Sequence, residues 1–121
     1  MGAWGYGWTQ NDDAYDLFGE VAAPMRKAWD RVLSRSPRTR WRWYGQARAA
    51  AGLAIQWSDM LTEGDMEDAA KALRVILSDE EHVQTWASPC DFRKSVRSDL
   101  RKLERRIKAS RESRVRGKKK R

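Results

Sequence analysis

The sequence predicts a small all-α domain, a helical bundle of four to six helices, and three observations support this. Apolar residues recur every three or four positions between Ala14 and Ile107, which is the spacing of one helical face. Helix-start signals precede these stretches, and Gly or Pro residues separate them. The length of 121 residues suits one domain. We place that domain at residues 1–110, followed by a basic C-terminal tail at residues 111–121 that is expected to be disordered.

The first ten residues alternate glycine with large aromatic residues and predict an extended Trp/Gly-rich N-terminal segment. Glycine disfavours a helix because fixing its backbone costs much entropy. The aromatic residues Trp4, Tyr6 and Trp8 favour burial. Two interpretations stay open: a hydrophobic cover on the bundle, or a platform that stacks on bases or on a protein partner.

The first helix is predicted from an N-cap at Asn11 or Asp12 to about Val32. Pro24 lies inside this stretch, removes a backbone donor and predicts either a kink or two separate helices.

A second helix is predicted from residues 38–41 to about Met60. Its centre is rich in alanine, so neighbouring helices can approach it closely. A third helix with Asp65 as its cap and a short helix at residues 79–86 are predicted to follow.

The last helix is predicted to start at Ser88 and Pro89, an N-cap followed by proline in the first turn. Its apolar residues step by three and four along one face; they are Phe92, Val96, Leu100, Leu103 and Ile107. Beyond Ile107 no apolar periodicity supports packing, and we therefore expect disorder there.

The charge of the chain is strongly segregated. The formal net charge is +8, from 25 Lys and Arg against 17 Asp and Glu. Residues 91–121 alone carry a net charge of +11, whereas residues 1–90 carry −3. A basic appendage on a nearly balanced body favours a polyanionic partner.

The last helix and the tail carry the predicted nucleic-acid-binding residues. Cations at helical spacing can follow a row of phosphates, and each contact releases counterions. The residues are Lys94, Arg97, Arg101, Arg105, Lys108, Arg114, Arg116, Lys118, Lys119, Lys120 and Arg121. A second segment interleaves arginines with aromatic residues, which suits either phosphate contact with stacking or arginine stems packed on tryptophan faces. Its residues are Arg38, Arg40, Trp41 and Arg42.

No catalytic constellation is recognisable, and we predict no enzymatic activity, no cofactor and no metal site. Asp12 and Asp16 lie one helical turn apart and could hold a divalent cation, but helix capping and dipole compensation account for both. His82 lacks the second Glu-x-x-His motif of a di-iron site. Cys90 has no histidine near it in sequence that would make it a nucleophile.

The expected compartment is the cytoplasm. A single cysteine excludes an internal disulfide and favours a reducing environment. No apolar stretch reaches membrane-spanning length, so no transmembrane segment is expected. The expected origin is bacterial or phage; in a eukaryote or its viruses, the tail has the composition of a nuclear-localisation signal.

The N-terminal sequence carries two motifs, Met1-Gly2-x-Trp4-Gly5-x-Gly7 and Asn11-Asp12-x-Ala14-x-Asp16. Together they resemble the opening of the bacterial family of domains of unknown function numbered 4259. The resemblance extends over about residues 1–108, through the alanine-rich helix ending at Gln56-Trp57 and the closing basic helix. Trp8-Thr9 stand where the family often has Pro-Phe. The resemblance implies a fold and a domain extent, and it implies no activity, cofactor or catalytic residue.

The leading hypothesis is a non-enzymatic accessory protein that binds nucleic acid phosphates without sequence specificity. The alternative is a protein-interaction module, such as an inhibitor, an immunity-type protein or a virion component, that uses exposed tryptophans and acidic segments. An acidic protein or an anionic membrane surface fits the basic helix as well. Salt dependence distinguishes these hypotheses, because phosphate binding weakens steeply with salt whereas a tryptophan-anchored contact does not.

Overall fold

A computed structural model describes the backbone of residues 12–34 and 37–119, with side chains from Asp16 to Ser34 and from Arg40 to Arg116. These ranges form helices joined by short turns and contain no strand, which confirms the predicted all-α class. The helices are α1 (Asp12–Ser34), α2 (Pro37–Gln56), α3 (Glu63–Ser78), α4 (Glu80–Val83) and α5 (Pro89–Lys119), with a 3₁₀ turn at Ser58–Met60. The Trp/Gly-rich segment predicted at residues 1–10 lies outside the described residues. Within the described ranges, none of the helices has the length and apolar character needed to cross a lipid bilayer.

Helix α1 is a single helix that continues through Pro24, so the predicted split into two helices does not occur, whereas the predicted kink stays a prediction. Pro24 is exposed, whereas Ala22 and Met25 beside it are buried in the same face of α1. Packing of this face stabilises the helix across the proline, since tertiary contacts supply most of the stability of a helix in a protein.

Helix α2 lies against α1, α3 and α5, as its small residues predict. Ala47, Ala51 and Ala54 are completely buried, and their short side chains allow the neighbouring backbones to approach. The indole Nε1 of Trp29, which is 1% exposed, donates a hydrogen bond of 3.2 Å to the carbonyl oxygen of Ala47. A buried contact therefore joins the middle of α1 to the middle of α2.

Helix α3 begins at Glu63, and its N-cap is Thr62 instead of the predicted Asp65. The two residues form a capping box: Thr62 Oγ1 accepts from Asp65 N at 3.1 Å, and Asp65 Oδ2 accepts from Thr62 N at 3.2 Å. Asp65 also accepts from Nε and Nη2 of Arg26 on α1, both at 2.8 Å. The Arg26 hydrogen bonds, despite partial burial, hold the pKa of Asp65 below its ordinary value.

Helix α5 starts at Pro89 as predicted, and Phe92, Val96 and Leu103 of its apolar stripe are buried against the bundle. The helix runs on to Lys119, so residues 111–119 are helical where the sequence predicts a disordered tail. Ion pairs with α3 accompany the first part of this extension and reach as far as Arg114. Arg111 Nη2 lies 2.6 Å from Glu67 Oε1, and Arg111 Nε lies 3.1 Å from Glu63 Oε1.

Candidate nucleic-acid interface

A row of cations lies on the outward side of α5, away from the buried stripe. All five residues are exposed, and at the angular spacing of an α-helix they fall within an arc of about 80°. They are Lys94, Arg97, Arg101, Arg105 and Lys108, and we refer to them as the basic face. From Lys94 to Lys108 the row is about 21 Å long, or about six base-pair steps of duplex DNA.

The charges of the basic face are free of partners within the described part of the chain, where none of the five forms an ion pair. Glu104, which follows Arg101 by three positions, binds Arg74 of α3 with an Nη2–Oε1 distance of 3.3 Å. Arg93 is turned towards α4, where it pairs with Glu80. The helix therefore uses its flanking charges to hold the bundle and leaves the outward row available to an external anion.

The remaining residues of the predicted site have different environments. Arg114 pairs with Glu63 at 3.0 Å and so joins α5 to α3, while its role in binding stays a prediction. Arg116 is exposed. The side chains of the last four predicted residues, Lys118, Lys119, Lys120 and Arg121, lie outside the described ones.

Arg40 and Trp41 of the arginine–aromatic segment of α2 make contacts within the bundle, and the secondary contact with nucleic acid stays a prediction. Trp41 Nε1 donates to Asp79 Oδ2 at 2.6 Å, and Tyr44 Oη donates to the same oxygen at 2.7 Å. Arg40 Nε donates to Tyr44 Oη at 2.9 Å. These contacts arise because the hydroxyl of Tyr44 is buried and requires partners. Arg42 is exposed, and the side chain of Arg38 lies outside the described residues.

Asp79 is the centre of this network, because it also caps α4 by accepting from His82 N at 3.3 Å. Burial acts to raise the pKa of Asp79, but hydrogen bonds from Tyr44, His82 and Trp41 outweigh it and lower the pKa. Burial and the hydrogen bond to Asp79 raise the pKa of Tyr44 to about 12. The carboxylate and the neutral phenol therefore stabilise each other.

An aromatic cluster surrounds His82, and the sequence does not predict it. Its members are Trp41, Tyr44, His82, Trp86 and Phe92. The His82 ring lies edge-on to Tyr44 at 4.7 Å and to Trp41 at 5.3 Å between centroids. Trp86 Nε1 donates to His82 Nε2 at 3.3 Å. Burial lowers the pKa of His82, although the charge of Asp79 acts to raise it, and this favours the neutral ring that accepts from Trp86.

Trp86 forms the solvent side of the aromatic cluster. It stacks on Phe92 with ring centroids 4.5 Å apart and an interplanar angle of 15°, yet it remains 46% exposed. The guanidinium of Arg48 lies 5.3 Å from the centroid of the same Phe92 ring. The spacing Asp79-x-x-His82-x-x-x-Trp86 is the part of this cluster that is visible in the sequence. It does not predict the cluster, because Trp41 and Tyr44 on α2 are remote from it in sequence.

Among the described side chains, the residues considered for metal binding or nucleophilic chemistry, Asp16, His82 and Cys90, form no common cluster. Asp16 is exposed, and the side chain of Asp12 lies outside the described residues. Cys90 is exposed in the first turn of α5. No group of three or more potential metal ligands occurs among the side chains that the structure describes.

The described residues define a small all-α bundle with one long helix whose outer side is basic. No model of a known protein family, no curated protein and no solved structure matches the chain. The resemblance to the family of domains of unknown function numbered 4259 therefore stays a prediction.

Proposed function

We propose that this protein binds nucleic acid through phosphate contacts made by the basic face of α5, without reading the base sequence. The observation that carries the proposal is the row of five exposed cations without an ion-pair partner in the described part of the chain. Maintaining an uncompensated row of like charges costs free energy through mutual repulsion, and an anionic polymer along the row relieves that cost.

The contacts available to α5 suit phosphates better than bases. Lysine and arginine dominate its outward side, and the helix contains neither asparagine nor glutamine, the residues that read adenine. Cations at successive turns match the regular charge of a nucleic acid backbone, and each contact releases counterions. The proposed role is accessory and non-enzymatic.

Salt dependence gives the proposal a quantitative form. Five phosphate contacts predict that log K falls against log salt concentration with a slope of about −4.5 on duplex DNA and about −3.5 on a single strand. A contact dominated by apolar side chains would change little with salt.

The test is fluorescence anisotropy of labelled single- and double-stranded oligonucleotides titrated with the full chain at several salt concentrations. Arg101→Gln/Arg105→Gln should reduce the duplex slope by about 1.8, because two contacts are lost. The control Lys27→Gln removes a charge from an exposed position of α1, outside both predicted contact segments, and should leave the slope nearly unchanged. An equal loss in both variants would refute a localised face, and no binding at low salt would refute the function. A salt-insensitive complex with a protein would then favour the alternative, a protein-interaction module.

A further inference from the structure

We infer that Trp86 is a stacking platform for one unpaired base of a nucleic acid that lies on the basic face. This inference rests on the proposed function and deepens it, because it names single-stranded nucleic acid as the preferred partner. A base inside a duplex is stacked on both sides and cannot offer its face to a protein ring, whereas an unpaired base can.

The exposed part of Trp86 is a flat aromatic face. Phe92 covers one side of the indole at a centroid distance of 4.5 Å, and Phe92 itself is only 6% exposed. The Nε1 edge is occupied by the hydrogen bond to His82. The 46% of Trp86 that remains exposed therefore lies on the opposite side of the ring and on its other edge.

The indole is also held in place before any ligand arrives. His82, which accepts from Trp86, is itself packed edge-on against Tyr44 and Trp41, and both of those residues donate to Asp79. A ring immobilised in this way loses little entropy when a base stacks on it.

A cation lies close to the platform. The guanidinium of Arg48 lies 5.3 Å from the centroid of the Phe92 ring on which Trp86 stacks. Lys94, the first residue of the basic face, follows Phe92 by two positions, so its side chain projects from the other side of α5. A strand that lies on the basic face and crosses the first turns of α5 towards Arg48 can therefore place a neighbouring base over Trp86.

The experiment compares three ligands of equal length: a single strand, a duplex, and a single strand of abasic sites that has phosphates but no bases. The proteins are the full chain, Trp86→Phe, Trp86→Ala and the control Leu17→Ala, which removes an exposed apolar side chain from α1. Circular dichroism melts establish that each variant is folded at the assay temperature.

We expect Trp86→Ala to raise the Kd for the single strand about tenfold, and to leave the duplex and the abasic strand within about twofold. Trp86→Phe should keep most of the affinity, because it keeps an aromatic face, and Leu17→Ala should change nothing. Equal loss on all three ligands would overturn the inference, since it would show a structural role. Unchanged binding to all three would also overturn it and would favour a protein partner for Trp86. Failure of the unaltered chain to bind any ligand would instead refute the proposed function.

Discussion

Replacing Asp79 by alanine removes three interactions at one point of the bundle. The N-cap of α4 is lost, and an exposed N-cap is worth about 1 kcal/mol. Tyr44, 3% exposed, loses the acceptor of its hydroxyl, and an unsatisfied buried donor costs about 1–3 kcal/mol. Trp41 is only half-buried, so water can replace its lost acceptor. We expect a total loss of about 3 kcal/mol and a fall in Tm of about 10 °C.

The assay is thermal and urea unfolding followed by circular dichroism for Asp79→Ala, Tyr44→Phe and the double variant. The double variant lacks the orphaned hydroxyl, so its destabilisation should be smaller than the sum of the single effects by about 1 kcal/mol or more. Effects that add to within about 0.5 kcal/mol would refute the reasoning, because they would show that the two residues act independently.

Tyr44 adds a pH dependence of defined sign. Its pKa is raised from 10.0 to about 12 in the folded chain, so the folded state favours the neutral phenol. The corresponding stability is complete below pH 10 and is lost as the pH rises towards about 12. Tyr44→Phe should remove this part of the alkaline decline. A decline of the same size in the variant would contradict the assignment.

Three further predictions follow from other parts of the bundle. Gly45→Ala and Gly52→Ala should each stabilise the protein by about 0.5–1 kcal/mol in urea unfolding, since a Cβ at either position meets no described atom within 4 Å. A lower stability of either variant would mean that another part of the protein covers this surface of α2. Asp65→Asn should cost about 1–2 kcal/mol at neutral pH. The pKa of Asp65 is lowered in the folded state, so the stability from its carboxylate is present above the ordinary pKa of 3.8 and is lost as the pH falls through the folded value. The difference in stability between Asp65→Asn and the unaltered chain should therefore become smaller at low pH. Glu63→Gln/Glu67→Gln should steepen the salt slope for duplex DNA by up to about 1.8, because two arginines of α5 become free for phosphates, and an unchanged slope would show that they do not reach the ligand.

The parts of the fold that depend on neighbouring residues could be predicted from the sequence. The start of α5 at Pro89 and its buried stripe follow from a local cap and from helical spacing. The basic face was predictable for the same reason, since all of its residues lie on one helix. The capping box at Thr62 was also local, but the acid at its third position was mistaken for the cap itself.

The parts that depend on distant residues could not be predicted. Trp41 and Asp79 are separated by 38 positions, and nothing in either segment indicates that they meet. Arg111 near the end of α5 pairs with Glu67 at a separation of 44 positions. Charge patterning shows that such pairs are available, but only the packing of α3 against α5 selects them.

The hydrogen bond from Trp29 to the carbonyl of Ala47 has a consequence for how the bundle chooses its alignment. A helix face made of alanine is smooth, and by itself it would let α1 slide along α2 by a turn at little steric cost. A slide of one turn, about 5.4 Å, would carry the indole N–H away from its acceptor and leave it unsatisfied in a dry interior. Trp29 therefore helps to fix the register of α1 on the alanine face of α2, together with the larger core residues Tyr44 and Ile55 of the same helix.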